Sequence, residues 1–231
     1  MLEGLRAKLD RMAPLVRQVM RQTQARVFAG DTHAEGKLVS VFEPTTEIIR
    51  RGKAGKPTEF GKMVKLQEAE NQIVTEYEVY ERRPSDADLL IAAIATHETR
   101  LGRTPHLVAA DAAFYSAKNE AAAKAKGVKR VCIPNRSSKS PARKREQKKR
   151  WFRNGQKWRT GSEGRISVIK RRHGLARSRY KGDDGMKRWV GLGVIADNLV
   201  NIGHALAKPP DAKPHHADDT SSARRPSRPA K

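Results

Sequence analysis

Four side chains in this sequence have types and spacings that could do chemistry together. Asp111 ends the apolar run Leu107-Val108-Ala109-Ala110, and Glu163 stands four residues after Arg159 and seven before Lys170. If 159–170 is one helix, both cations and the glutamate share a face. Asp111, just past a buried strand, is where open α/β sheets carry ligand-contacting groups, because the loops there diverge and leave a crevice. Carboxylates bracketed by Lys and Arg suit divalent-metal chemistry on a phosphodiester. Mg²⁺ (or Mn²⁺) takes a few carboxylate oxygens and completes its shell with water and substrate phosphate, while the cations grip phosphate oxygens. Each acid also has an ordinary explanation. Asp111 could cap a helix or turn, and a glutamate in the first turn of a helix, as Glu163 is expected to be, is stabilised by the dipole without any function.

The chain that must position these residues has 231 residues, enough for one domain with a real core and its tails. Forty-eight Lys+Arg against 25 Asp+Glu leave a formal charge of +23. Such self-repulsion opposes compaction unless an acidic partner neutralises it, and nucleic acid is the default partner. There is no apolar run of about 18 residues to span a bilayer and no signal peptide at the start. The expectation is a soluble cytoplasmic, nucleoid-associated protein with no membrane partner. A lone cysteine, Cys132, excludes an intrachain disulfide and a cysteine-rich zinc site; between Val131 and Ile133 it reads as a small buried apolar residue.

Along the chain, Leu5, Leu9, Met12, Leu15, Val16, Val19 and Met20 give residues 2 to 28 a helical period, with Pro14 expected to kink or restart the helix and the apolar face expected to pack. Residues 29 to 61 are dense in Gly, Pro and basic residues, an exposed connection with a short strand at Leu38 to Phe42. Lys62 to Glu70 and Gln72 to Tyr80 alternate like a β-hairpin turning at Glu70-Asn71. Ser85-Asp86 starts a helix that stops at Gly102. Leu107 to Ala110 and Lys129 to Pro134 read as buried strands joined by an Ala-rich helix after Ser116, a parallel pair with a crossover, so the core is α/β. Arg136 to Arg159 holds eleven Lys/Arg and one acid, Glu146, with little to bury. Helices are expected from Gly161 to His173 and from Met186 to Leu206. Residues 207 to 231 have the composition of a disordered tail.

The stretch Leu107 to Ser116 followed by Lys118-Asn119-Glu120 resembles the second-aspartate strand and following helix of insertion-sequence transposases with an RNase H-like DDE domain. Trp158-Arg159-Thr-Gly-Ser-Glu163-Gly-Arg-Ile-Ser-Val-Ile-Lys170 is similar to their Y-(2)-R-(3)-E-(6)-K signature at Arg159, Glu163 and Lys170, with Gln156 at the tyrosine position. Pro57 to Leu66 and Tyr77 to Tyr80 resemble the domain's hairpin strands, and Gly191 to Asn198 its closing helix. The ISNCY-type group is the nearest in pattern, over about residues 37 to 206.

The resemblance implies an RNase H-like mixed sheet with flanking helices, incomplete because the strand bearing the first aspartate is expected upstream of the hairpin, where this chain has its N-terminal helix. Residues 1–36 would be the remnant of an inserted helical region, 37–206 a partial catalytic domain and 207–231 a basic, Pro-rich tail. It further implies that Asp111 and Glu163 hold Mg²⁺ or Mn²⁺ and that Arg159 and Lys170 contact phosphate near the cleaved end of double-stranded DNA, first at the element ends and then at the target. Asp31 could be reassigned as the missing carboxylate, but Ala29-Gly30-Asp31-Thr32-His33 is polar and glycine-bounded, unlike a central strand. With two carboxylates the activity would be weak or absent.

Beside the site, Arg143, Lys144, Arg145, Lys148, Lys149 and Arg150 are a candidate DNA-backbone track, although a charge run can be merely solvated. Trp158 could stack on an unpaired base; packing against the core is the preferred expectation. Gly191-x-Gly193-x-x-Ala196 lies inside a helical pattern and is no dinucleotide fingerprint. His215-His216 lacks ligand partners at metal spacing. Three rivals stay open: a non-catalytic basic DNA-binding protein, a metal-dependent nuclease of the same fold, and a DNA-binding fragment that forms mixed assemblies with a full-length transposase or with itself.

Overall fold

The protein is described by a computed structural model over residues 2–50 and 58–207. The expected tail from 208 onward, with His215-His216, and the turn formers Gly52, Gly55 and Pro57 lie outside the described residues. Those residues form helices and small sheets in alternation, a mixed α/β chain. They gather into two compact units, one built from residues 2–50, 58–68, 74–85 and 169–196, the other from 69–73, 86–168 and 197–207.

In the first unit, helix α1 (Leu2–Phe28) runs through Pro14 without a restart. One missing N–H removes a single rung, and the rest of a long ladder holds. No residue of α1 is buried, and Leu5, Leu9 and Met20 are more than half exposed, so the apolar face does not pack as expected. What ties the following chain to α1 is polar. Gln22 donates to the carbonyl of Leu38 at 2.8 Å and accepts from its N–H at 2.9 Å. With both backbone groups of Leu38 taken, the strand expected at Leu38 to Phe42 does not form. The pairing lies further on, where β1 (Glu47–Arg50) runs antiparallel to β2 (Thr58–Gly61).

The expected hairpin is β3 (Val64–Glu68) antiparallel to β4 (Val74–Val79), with its turn over Glu70–Gln72. Asn71 and Gln72 there take positive φ of 58° and 64°, which Asn accepts more readily than most residues. The unit's core joins Val74 and Val79 of this hairpin to Ile169, Val190 and Val194. Its last helix belongs to α6 (Gly182–Leu206), which begins four residues before the expected Met186. Asp183 in its first turn pairs with Lys62 and accepts from Thr45 at 3.3 Å, contacts from far along the chain that hold the start of the helix.

The second unit carries the elements that matter for chemistry. Helix α2 (Asp86–Leu101) stops at Gly102, whose φ of +67° suits a glycine terminator. Strands β5 (Leu107–Ala109) and β6 (Arg130–Cys132) are parallel, with Val108 opposite Val131. Between them runs α3 (Ala117–Ala125), capped by Ser116, whose hydroxyl accepts from the N–H of Asn119 at 3.0 Å. Leu90, Ile94, Ala123, Val128, Val131 and Ile133 close one core around this β-α-β unit, each at most 3 % exposed. The three described sheets are all two-stranded.

The basic run also folds. Ser140 caps α4 (Pro141–Lys148) with Pro141 in its first turn, and α5 (Arg150–Arg172) starts eleven residues before the expected Gly161. The expectation that this run has little to bury fails at three positions. Phe152 is 2 % exposed. Gly155 sits so close to Cys132 that a Cβ there would lie 2.6 Å from its Sγ. Gln156 donates to the Cys132 carbonyl at 2.8 Å. A small set of neighbours on one face suffices to fasten a highly charged helix to the end of β6.

Candidate active site

The site is assembled from the end of β5 and the middle of α5. Asp111 leaves β5 in extended conformation (φ −67°, ψ 161°) and heads the short 3₁₀ turn Ala112–Phe114, but its side chain caps no N–H there. The ordinary capping explanation therefore fails. Its backbone carbonyl takes the N–H of Phe114 at 3.1 Å, leaving the carboxylate free to turn outward at 58 % exposure. Glu163 lies deep inside α5, not in a first turn, so the dipole explanation fails as well.

The two acids meet on one atom. Nη1 of Arg159 donates to Oδ1 of Asp111 and, at 2.9 Å, to Oε1 of Glu163. Two oxygens bonded to one nitrogen lie within several ångströms of each other and face the same space. Arg159 is only 20 % exposed beneath acids that are 58 % and 59 % exposed. Its Nε is buried and has no hydrogen-bond partner.

Gln156, which holds the tyrosine position of the signature, anchors α5 one turn before Arg159. Further along the helix, Arg165 pairs with the buried Asp197 at 3.3 Å, and Asp197 accepts from Asn201 at 3.0 Å. Asp197 is 1 % exposed, and no motif or spacing in the sequence singles out either it or Arg165. Cys132, beside Gln156, is buried with its Sγ 3.0 Å from the Phe152 carbonyl. Burial pushes its thiol above the usual range, which leaves it an unreactive packing residue, as its apolar neighbours suggest.

The donor set can be tested against a divalent ion. Two converging carboxylates with open solvent around them fit one Mg²⁺ or Mn²⁺ that keeps several waters. Among the described residues no group of three His, Cys, Asp or Glu side chains comes together. Asp31 accepts from the N–H of His33 at 2.7 Å, a local turn contact.

The candidate track divides in two. Lys144, Arg145, Lys148, Lys149 and Arg150 lie on α4 and the start of α5 with their side chains open to solvent to differing degrees. Arg143 is not available in the same way. Its guanidinium donates to Glu120 at 2.9 Å and to the Ile133 carbonyl at 2.6 Å, and lies over the rings of Tyr115 and Phe152 at 5.0 and 5.7 Å. Nothing in the sequence signals this, because Arg143 looks like its neighbours. Trp158 is 38 % exposed, less packed than expected. Lys170 is exposed on the same helix as Arg159 and Glu163.

Compared with known families, residues 117–202 match the model of the transposase DDE domain. This stretch is similar to that family. It contains Arg159, Glu163 and Lys170 and begins after Asp111. No curated protein and no solved structure matches the chain. A transposase DDE domain has DNA as its general kind of partner, and such domains generally use divalent metals. Among the described residues no helix is long and apolar enough to cross a membrane.

Proposed function

We propose that this chain supplies the phosphodiester chemistry of an insertion-sequence transposase, with Asp111 and Glu163 as the two carboxylates that hold a divalent ion. The observation that carries this reading is the convergence of both acids on Nη1 of Arg159, beside a stretch of transposase DDE-domain sequence. A bound Mg²⁺ or Mn²⁺ would supply a polarised water and charge neutralisation at phosphorus. The chain's own residues do the rest. Asp111 and Glu163 fix the position of the ion on two rigid elements, a strand end and the middle of a helix. Arg159 offers donors to a phosphate oxygen, and Lys170 is a second phosphate contact by its place in the signature. Water adds to phosphorus as the bond to the 3′-oxygen breaks, leaving a 3′-hydroxyl that can attack a target phosphodiester in turn.

The cations Lys144, Arg145, Lys148, Lys149 and Arg150 would track the duplex backbone. Arg143 is left out of that track because its guanidinium is held inside the protein by Glu120 and the Ile133 carbonyl. The β5-α3-β6 unit would be the remnant of an RNase H-like sheet within a catalytic domain spanning residues 37–206. A second reading has a specific observation in its favour. Only two acids converge among the described residues, which suits a chain that binds DNA without turning it over.

Nicking of supercoiled DNA by the purified chain in Mn²⁺, beside Asp111→Ala and Glu163→Ala, separates the two. Metal-dependent nicking lost in both variants supports the catalytic reading. Salt-sensitive binding with no nicking leaves the binding reading.

A further inference from the structure

Arg159 does more at this site than an arm waiting for phosphate would need to do. It lies under both carboxylates and donates to each through the same nitrogen, so the two-pronged geometry that makes arginine–carboxylate pairs strong is not used. Its Nε is buried without a partner, so the side chain is incompletely satisfied where it stands. The acids it bridges are more than half exposed and can be approached from solvent while Arg159 holds them from below. No other described cation is paired with either acid.

We infer that Arg159 is a built-in counter-cation for the carboxylate pair, which a divalent ion must displace, and that its guanidinium is thereby released for the DNA phosphate. This rests on the reading of Asp111 and Glu163 as metal-holding carboxylates and adds a competition to it. A guanidinium and a divalent ion cannot both take the inward oxygens of two converging acids. With the arginine in place the acids are neutralised and held together, which limits their mutual repulsion. With the ion in place the arginine is left without its two acceptors, at the point where a phosphate would bring new ones. Metal and DNA then favour each other's binding, because each prefers the arginine off the carboxylates, and that coupling is reciprocal.

The consequence is opposite in sign to that of a simple helper. Removing a phosphate arm leaves metal affinity alone; removing a positioning residue weakens it; removing a competing cation strengthens it. Mn²⁺ binding to the DNA-free chain, read from the electron paramagnetic resonance signal of free Mn²⁺ at fixed ionic strength, is to be compared for the unsubstituted chain, Arg159→Gln and Asp111→Asn. Arg159→Gln is expected to bind Mn²⁺ about three- to thirtyfold tighter, and Asp111→Asn at least tenfold more weakly. If Arg159→Gln binds equally or more weakly while Asp111→Asn loses affinity, the carboxylate site stands and the counter-cation is refuted. Equal binding in all three refutes the site, and the competition with it.

A second measurement needs no variant of the arginine. In the unsubstituted chain, the guanidinium NMR signal of Arg159 is expected to shift on Mg²⁺ addition with the midpoint of metal binding. A signal that stays put through that titration overturns the proposal.

Discussion

Replacing Arg143 by Ala tests whether the basic run is one uniform surface or a surface with a structural arginine hidden in it. Arg143 is 10 % exposed and pairs at 2.9 Å with Glu120, itself 18 % exposed. It donates at 2.6 Å to the carbonyl of Ile133, the residue that follows β6. Breaking a mostly buried pair by removing one partner costs about 3–5 kcal/mol, and each arginine–ring contact adds roughly 0.5–1 kcal/mol. Two features reduce the total. Glu120 keeps Lys124 at 2.8 Å, so its charge is not abandoned. The buried Nε of Arg143 has no partner, a penalty of about 1–3 kcal/mol that the substitution removes. The net expectation is a destabilisation of about 2–4 kcal/mol. Lys144→Ala, at an exposed neighbour, should stay within about 0.5 kcal/mol. Urea unfolding followed by circular dichroism compares the two directly. A midpoint for Arg143→Ala no lower than that for Lys144→Ala would refute the structural assignment.

Three other outcomes are expected. Converting Lys144, Arg145, Lys148, Lys149 and Arg150 to Gln should flatten the dependence of log affinity for duplex DNA on log salt by about 0.9 for each phosphate that the variant no longer neutralises; a salt slope that does not change would remove these residues from the backbone track. Gly155→Ala should destabilise by about 0–2 kcal/mol, because overpacking against Cys132 Sγ at 2.6 Å costs about 1–3 kcal/mol while alanine in a helix returns about 1 kcal/mol. Adding Cys132→Ala should recover the stability, and thermal melting of the double variant checks it. For Asp183, the hydrogen bond from Lys62 holds the carboxyl below its ordinary range. A depressed folded value means that the pair's stabilisation is complete above the unfolded carboxyl's titration, near about pH 4, and is lost as pH falls through the folded value. Asp183→Asn should therefore lower the melting temperature near neutral pH and make little difference in strong acid, which a pair of melts at the two pH values would show.

How far the fold could be read from sequence depended on which force shaped each element. The hairpin β3–β4, helix α2 and the β5-α3-β6 unit follow apolar periodicity closely, and all lie where the pattern puts them, since burial dictates them. The first half of α5 does not, because it is held at only a few positions. Phe152, Gly155 and Gln156 are scattered along a run rich in Lys and Arg, and no periodic signal survives that dilution. The strand expected at Leu38 is pre-empted by one glutamine side chain from α1, Gln22, sixteen residues away along the chain. The exposed apolar face of α1 shows that a helical period predicts the helix but not its partner.

The candidate residues stand out in the sequence by spacing, by position after an apolar run and by resemblance to the transposase signature. Arg159 and Glu163 are placed on one helix face by their four-residue separation, and Asp111 by its position after an apolar run. The bridging role of Arg159 was not legible, since nothing in a sequence says that a strand end will stop opposite the middle of a helix. The internal contacts of Arg143 were not legible for a related reason. Its charge matches that of its neighbours, and only the β-α-β unit decides that this one of the cations points inward.

The most direct test of the account is a crystal of this chain soaked in Mn²⁺ and measured for anomalous scattering. An anomalous peak is expected between the carboxylates of Asp111 and Glu163, with Arg159 withdrawn from both. No peak there at millimolar Mn²⁺, or carboxylates that face different sides of the chain, would contradict it.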